Sequence, residues 1–467
     1  MFHICGLINM LRFVAKKEGK KLIKEDYDVS NIYKLDGRVP VSKAIPFGLQ
    51  HVLAMFVSNV TPIILISGVA LYNGNSFSSL DTALLVQAAM LIAGIGTLIQ
   101  LYPIWKVGAK LPVVMGLSFT FLSPMMILAS RDYGLLVGAV MVGGIIEGIL
   151  GLTAKYWRRF VTPIVSACVV TTIGFSLLST GISTLATSNA YPLGSWQNLT
   201  VGALTLLACL LFHSFTKGFW KNLYVLLGLA VGYIISIFFN MVDFSQMMAT
   251  INELGVVSFP RLFRFAPKFD IGAIISVTLV FLVSAAETIG DTTAICTGGL
   301  NRDITEKEVS GSLCCDGFMS AISAGVFGCS PITSFSQNVG LVAMTKVVNR
   351  WTIMFGALTL IIAGLFPPVG AFFSTLPSCV LGGCTVIMFG AIIVSGINMM
   401  NSCEWNEKTT LIVATSLCVG IGVTQVDGFF QYLPSVFGDI FAGNPVAGVF
   451  LVSMIMSLII PDKEKKN

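Results

Sequence analysis

The sequence is poor in charged residues. Asp, Glu, Lys and Arg make up 11% of its 467 residues, whereas hydrophobic residues make up 55% and the mean hydropathy is +0.85. A soluble domain carries roughly 25% charged residues, so this chain cannot cover a water-exposed surface. The composition excludes a soluble globular protein and predicts a polytopic membrane protein.

Patterns typical of metal sites and enzymes are also missing from the sequence. It has three histidines, and its eleven cysteines are scattered without a C-x-x-C pair. No H-E-x-x-H segment or other nucleophile–base pattern is present. We therefore predict no disulfide framework, no metal site, no cofactor and no enzymatic activity. The basic amino-terminal run is interpreted as a solvated flank rather than a nucleic-acid-binding arm.

Apolar runs long enough to cross a bilayer recur along the chain. At about 20 residues per helical span, the sequence predicts an all-α polytopic fold with an even number of spans, fourteen. They lie near residues 47–71, 81–101, 111–130, 134–153, 160–185, 198–215, 222–241, 270–291, 312–328, 331–347, 352–373, 378–398, 408–425 and 444–461.

Basic residues predict the orientation of these spans. Lys and Arg are enriched in cytoplasmic loops, and both ends of the chain are basic, from Arg12 to Lys43 and again at Lys463, Lys465 and Lys466. We expect both termini in the cytoplasm. The loop near 242–269 is also basic although it should lie outside, but long loops follow the rule weakly.

Spans 3 and 10 contain residues that disfavour helices. Span 3 includes Pro112, Gly116 and Pro124, and span 10 includes Gly328 and Pro331. The two spans occupy corresponding positions in two halves of seven spans, which indicates an inverted repeat whose broken elements meet at the membrane midplane. Non-helical backbone at that depth survives only when it is buried in protein or lines a cavity. Ordinary Pro-kinked helices are the alternative.

Three acidic residues lie in apolar surroundings. Glu287 and Asp291 are four residues apart, so a helix places both on one face, and Asp316 lies in the following span. Two neighbouring buried carboxylates repel each other, so we expect at least one to hold a proton near neutral pH. Such acids form proton relays in transporters. Capping or bracing of helices is the alternative for Asp291 and Asp316.

Gln337 and Asn338 place two amides at bilayer depth, where they are costly without partners. The Gln337 amide offers a donor and an acceptor edge, which suits a planar heterocycle, and Phe119 in the other broken span could stack on it. We expect Asn338 to brace the broken backbone and Gly340 to permit close approach of a neighbour. His51 is either a structural hydrogen-bond partner or a ligand contact.

Several segments resemble the nucleobase–ascorbate transporter family (nucleobase:cation symporter-2). They are Gln50-His51, residues 287–291 (Glu-Thr-Ile-Gly-Asp) and residues 337–346, with the specific pattern Gln-Asn-x-Gly-x-x-x-x-Thr-Lys. Residues 365–370 and 375–383 resemble the xanthine and uric acid permeases of the family in particular. The resemblance covers residues from about 40 to 460.

The resemblance implies a 7+7 inverted repeat with short antiparallel strands in broken spans 3 and 10, and a core domain that slides against a gate domain in a homodimer. The boundaries that follow are a cytoplasmic tail at 1–43, core segments at 44–156 and 270–375, and gate segments at 157–245 and 376–461.

The resemblance also implies import of a purine base, xanthine first and urate next, across the plasma membrane. Proton symport is expected, with Na⁺ not excluded. Substrate-binding residues carried over from the family are Glu287, Gln337, Phe119, Ser118 and Ser336. Coupling or supporting residues are His51, Asp291, Asp316, Asn338, Gly340 and Thr345.

Other functions remain open at the level of sequence. A uracil permease of the same family would favour glutamate at position 337. An anion transporter on a related fold would favour a cationic group near the broken spans. A passive channel would need a continuous ring of filter residues, which a single-chain 7+7 pattern does not predict.

Overall fold

The structure is a computed structural model that describes residues 28–158 and 161–461. Residues 1–27 of the predicted basic tail, Arg159 and the carboxyl-terminal lysines lie outside the described residues. The described part of the tail contains a short 3-10 helix, Val29–Tyr33. It is held by Asn349, whose Nδ2 donates to the carbonyl groups of Asn31, Lys34 and Gly37, and by an ion pair between Arg350 and Asp36.

The first half of the chain forms eight main helices. A Ser78 capping box with Asp81 starts the second of them, and Pro163 occupies the first turn of the fifth, where its missing N–H costs nothing. The helices are α1 (Val41–Ser67), α2 (Ser79–Leu101), α3 (Leu122–Arg131), α4 (Tyr133–Leu152), α5 (Pro163–Ser176), α6 (Leu178–Leu185), α7 (Trp196–Phe215) and α8 (Tyr224–Phe238).

The second half continues with ten further helices. They are α9 (Phe244–Leu254), α10 (Ile271–Ala294), α11 (Glu306–Phe327), α12 (Ser336–Thr345), α13 (Arg350–Gly364), α14 (Pro367–Ser374), α15 (Ser378–Asn401), α16 (Glu407–Gly422), α17 (Ser435–Phe441) and α18 (Pro445–Ile459). A π-helical turn, Ile295–Gly299, extends α10.

Most predicted spans coincide with a helix or a helix pair, and the molecule is a mostly helical polytopic membrane protein. Within the described ranges, eight helices are long and apolar enough to cross a membrane, or nine if one bent pair counts as a span. That pair is α13 and α14, which meet at 74°. The span predicted at 352–373 is therefore not one straight helix, because Pro367 and Pro368 cannot continue α13 and instead start a new helix. The loop predicted at 242–269 contains α9.

The two broken segments form short strands that meet. After a surface hairpin of β1 (Leu71–Tyr72) and β2 (Asn75–Ser76), strand β3 (Met115–Leu117) precedes α3, and β4 (Ile332–Ser334) precedes α12. β3 and β4 pair antiparallel, with Gly116 opposite Thr333.

Side chains supply the hydrogen bonds that two three-residue strands cannot supply to each other. The N–H of Met115 donates to Thr97 Oγ1 at 2.9 Å, that of Leu117 to Asn59 Oδ1 at 2.8 Å, and that of Ile332 to Ser320 Oγ at 3.1 Å. Backbone polar groups inside a membrane protein need such partners. The three surrounding helices α2, α1 and α11 therefore fix the strands in place.

The most extensive helix contacts fall into two groups. In one group α4 packs on α11, and α2 packs on α13; in the other α15 packs on α5 and α7, and α16 on α18. Helix α10 contacts members of both groups. Glycines allow the closest approach: a Cβ added at Gly317 of α11 would lie 2.2 Å from the backbone nitrogen of Gly148 in α4.

Candidate functional site

A cavity of about 230 Å³ lies where the two strands end. Pockets for drug-sized ligands measure about 300–1,000 Å³, so this one suits a smaller ligand. It is lined by Leu117, Ser118, Phe119, Thr120, Val170, Ile173, Glu287, Thr333, Ser334, Phe335, Ser336, Gln337, Ala391, Ile392 and Ser395. The walls thus come from both broken segments, from α10, and from α5 and α15 of the other helix group.

The broken segments bring polar groups to this depth because each strand ends at the cavity. Ser118, Phe119 and Thr120 follow β3 directly, while Ser336 and Gln337 open helix α12 just after β4. The first N–H groups of a helix have no partner within the helix. The start of α12 therefore presents polar backbone, as well as side chains, to the cavity.

Glu287 is the acidic residue in the cavity wall, and two hydroxyl groups hold it. Its Oε2 accepts a hydrogen bond from Thr120 Oγ1 at 2.7 Å, and its Oε1 accepts one from Ser336 Oγ at 3.3 Å. Both donors come from the broken segments, so the two segments together orient one carboxyl group. Thr120 was not predicted from the sequence.

Asp291 and Asp316 are joined to Glu287 by a chain of hydroxyl groups. Ser336 also donates to Asp291 Oδ2 at 3.0 Å, and Ser334 Oγ donates to the same oxygen at 2.9 Å. Ser334 Oγ also lies 3.2 Å from Thr288 Oγ1, which in turn donates to Asp316 Oδ2 at 2.5 Å.

Asp316 is fully buried at the inner end of this chain. Its Oδ1 accepts a hydrogen bond from Gln100 Nε2 at 3.2 Å, and its Oδ2 accepts one from the backbone N–H of Ser334 at 3.3 Å. The three predicted acids therefore belong to one network, which runs from the cavity into the protein interior.

The other predicted substrate contacts also line the cavity. Gln337 is exposed to it, and Ser118 and Phe119 are largely buried in its wall. The Phe119 ring meets Phe389 of α15 edge-on, with centroids 5.4 Å apart. A perpendicular pair of this kind uses at most one face of the Phe119 ring, and the ring lines the cavity. Their role as substrate contacts stays a prediction.

His51 and Asn338 form a separate buried contact outside the cavity lining. Asn338 Nδ2 donates to the backbone oxygen of His51 at 3.0 Å and lies 3.4 Å from its Nδ1. The Asn338 amide thus ties α12, which follows the break, to α1; its expected role in bracing the broken backbone stays a prediction.

Gly340 and Thr345 lie farther along α12, away from the cavity. A Cβ added at Gly340 would meet nothing within 4 Å, so the predicted close approach at this glycine is wrong: the helix turns this position toward open space. Thr345 Oγ1 donates to the carbonyl of Leu341, one turn earlier in the same helix, at 2.8 Å. It supports the end of α12 rather than the site.

Several network residues escaped the sequence reasoning because Ser and Thr are common inside membrane helices. Thr120, Thr288 and Ser334 have no distinguishing pattern. Glu147 was also missed, although an acid within the apolar run 133–152 satisfies the criterion that found Glu287.

Across residues 28–158 and 161–461, no group of three or more His, Cys, Asp or Glu side chains is arranged to hold a metal ion.

Two solved transporters share this fold. The transmembrane domain of the cyanobacterial bicarbonate transporter BicA aligns with a TM-score of 0.53 and 14% identity, over 89% of this chain and 98% of that one. The murine anion transporter Slc26a9, in its inward-facing state, aligns with a TM-score of 0.57 and 11% identity, over 96% of this chain and 74% of that one. The chain therefore has a membrane-transporter fold.

Sequence comparison identifies the family. Residues 42–429 match the profile Xan_ur_permease, described as a permease family. Xanthine permease XanQ of Escherichia coli K12 is 33% identical over 92% of this chain and 94% of that protein, and the xanthine permease of Bacillus subtilis is 33% identical over 89% and 93%. The chain belongs to this permease family, the nucleobase–ascorbate transporters, and the resemblance found in its sequence is confirmed.

Proposed function

We propose that this protein imports a purine base, xanthine first and urate next, across the plasma membrane by proton symport. The observation that carries the proposal is the cavity between the broken segments, where Glu287, Gln337 and Phe119 line one small space. A carboxyl group, an amide and an aromatic ring can together read the edge and the face of a planar heterocycle. The names of the bacterial relatives, xanthine permeases, support the choice of base.

Proton coupling is supported by the hydroxyl chain behind Glu287. Transporters use buried acids as proton relays, and here three acids are connected through Ser336, Ser334 and Thr288. One proton entering with a neutral base down a potential of 100 mV supplies about 2.3 kcal/mol, enough for an accumulation of some tens-fold. Na⁺ remains the alternative coupling ion.

The division into two helix groups supports a movement of core against gate. We assign core segments at 44–156 and 270–375 and gate segments at 157–245 and 376–461, with fourteen spans in a 7+7 inverted repeat and both termini in the cytoplasm. Val170, Ile173 and Ala391 close the cavity from the gate side. The family relationship also leads us to propose a homodimer.

A second, larger cavity of about 750 Å³ supports a path for release. It shares Ala391 and Ser395 with the first cavity and reaches Asn398, Ser402 and His213 near the ends of α15 and α7. The predicted topology places these helix ends on the cytoplasmic side. The protein is therefore proposed to be open toward the cytoplasm in this conformation.

An anion-transporting function is not favoured by the cavity. Among the described residues that line it, Glu287 is an acid and none is Lys, Arg or His, whereas an anion transporter on this fold is expected to place a cationic group near the broken segments. The likeness to bicarbonate and anion transporters concerns the fold alone.

Uptake of radiolabelled xanthine by cells that lack their own purine permeases tests the proposal. We expect uptake that urate reduces, that a protonophore abolishes and that replacement of Na⁺ leaves intact. Glu287→Gln should abolish it, whereas Glu306→Gln, at an exposed carboxyl group far from the cavity, should not. Competition by uracil alone, or no uptake by well-produced wild-type protein, would contradict the proposal.

A further inference from the structure

Glu147 is a second fully buried acid that the proposed transport site does not use. It lies in the second half of α4 with 1% of its surface exposed. Neither Oε1 nor Oε2 has a hydrogen-bond partner among the described residues. Burying an unpaired carboxylate is very costly, so such a group takes up a proton instead. Glu147 is therefore a neutral carboxylic acid in this conformation.

Asp316 is the acid that Glu147 faces. The two side chains interact electrostatically, and each lies next to a glycine of a close backbone contact, where Gly148 of α4 meets Gly317 of α11. Asp316 accepts hydrogen bonds from Gln100, Thr288 and the backbone of Ser334. Hydrogen bonds donated to a carboxyl group favour its charged form.

The two acids thus have opposite surroundings. Asp316 is held by donors that favour a carboxylate, whereas Glu147 has none and is neutral. Two interacting acids that differ in this way hold one proton between them, and the proton belongs to the pair. Because Asp316 also ends the hydroxyl chain that begins at Glu287, the pair is connected to the substrate cavity.

We propose that Glu147 and Asp316 form an inner proton site that is required for coupling although Glu147 contacts no substrate. In this conformation the proton is on the Glu147 carboxyl group. Its transfer to the Asp316 carboxylate requires that Glu147 gain a hydrogen-bond donor, such as water, during transport, and it leaves Glu147 charged and Asp316 neutral. A neutral Asp316 accepts weaker hydrogen bonds from Thr288 and Ser334. The chain of hydroxyl groups that orients Glu287 is loosened as a result. This inference rests on the proposed proton symport and names a residue for it.

The other groups near Glu147 do not substitute for this pair. From α11, the Cys314 thiol also interacts with Glu147, but its Sγ donates to the carbonyl of Gly148. From α10, Thr278 and Phe281 pack against Gly143 of α4. The basic residue Lys155 follows the end of α4 and is exposed.

Two assays in proteoliposomes distinguish coupling from binding. Gradient-driven accumulation of xanthine requires coupling to the proton, whereas exchange of internal for external xanthine requires only binding and movement. With the full chain carrying Glu147→Gln, we expect exchange of internal for external xanthine at the wild-type rate. Accumulation driven by 100 mV should fall by up to about fifty-fold, the factor that one proton supplies. Glu147→Asp, which keeps a titratable group, should retain accumulation, as should the control Cys314→Ser at the same helix contact.

Infrared spectroscopy detects the proton on the Glu147 carboxyl group directly. The spectrum of wild-type protein minus that of Glu147→Gln should contain a protonated carboxyl band at neutral pH, and the band should change when xanthine is added. Wild-type accumulation by Glu147→Gln, or no such band, would overturn the inference. If Glu147→Gln is poorly produced, a pH titration of the carboxyl bands of wild-type and Glu147→Asp protein decides the same question. Absence of any xanthine exchange by the wild type contradicts the proposed function instead.

Discussion

At the scale of the residue, hydroxyl groups determine how the acids are held. Glu287 accepts from Thr120 and Ser336, and Asp291 from Ser334 and Ser336. A hydroxyl group both donates and accepts, so it can follow a change in the protonation of its neighbour by rotating. Ser and Thr are thus suited to link acids whose charge changes during transport.

Thr120→Val should weaken xanthine binding about five- to tenfold. Valine has the same shape but cannot donate to Glu287. A hydrogen bond to a charged group contributes about 1.5–3 kcal/mol. Part of that free energy should be lost from xanthine binding, because the carboxyl group is then less well oriented. Titration of purified protein with xanthine measures the change. The control is Thr61→Val, because buried Thr61 donates only within its own helix, to the carbonyl of Val57. Equal affinities of the two variants would contradict the role of Thr120.

At the scale of the element, glycine decides which helices approach closely. The contact of α4 with α11 depends on Gly144 and Gly317, where an added Cβ would overlap backbone atoms, and on Gly148, where it would overlap the Phe318 ring. Gly340 of α12, by contrast, faces open space. Nothing in the sequence distinguishes these glycines, and only the packing shows which of them lie at a close helix contact.

Gly317→Ala should destabilise the protein and Gly340→Ala should not. Overpacking of a tight contact costs about 1–3 kcal/mol, and backbone at 2.2 Å cannot move aside as a flexible side chain can. Thermal unfolding in detergent should show a Tm lower by several degrees for Gly317→Ala. The Tm of Gly340→Ala should equal or exceed that of the wild type, since alanine favours helix. A reduced Tm for both variants would argue against the packing described for α12.

At the scale of the whole molecule, the cavity is shared between two helix groups. The broken segments and α10 supply its polar wall, while α5 and α15 supply Val170, Ile173 and Ala391. Side-chain contacts join the groups near the cavity; one is the ring contact of Phe119 with Phe389, and another is the 3.7 Å approach of Ser58 Oγ in α1 to Met388 Sδ in α15. A sliding movement would have to break these contacts.

Crosslinking Ser58→Cys to Met388→Cys should stop xanthine uptake reversibly. A bond between α1 and α15 prevents one group from moving past the other, but it leaves the cavity formed. Uptake by vesicles should be lost after treatment with a short thiol crosslinker and restored where the linkage is reducible, while xanthine binding persists. The two single variants, treated in the same way, control for the native cysteines. Undiminished uptake by fully crosslinked protein would exclude the proposed movement.

Much of the fold could be predicted because membrane insertion imposes length and hydropathy on each span. The interruptions at Pro112, Pro124 and Pro331 mark the segments that become strands and cavity walls. The break between α13 and α14 was missed because hydropathy does not register a bend, although Pro367 and Pro368 were visible. Helix α9 was missed because it lies outside the apolar runs.

The sequence by itself determined that the protein crosses a membrane, where its helices break, and which acids and amides lie at that depth. Those features follow from local composition and from the cost of burying polar groups in hydrocarbon. Only the tertiary structure decided which hydroxyl groups hold Glu287, that Asn338 binds to α1, and that Glu147 faces Asp316. These contacts join residues up to 287 positions apart, and common residue types such as Ser and Thr acquire a role only through the partner that packing brings to them.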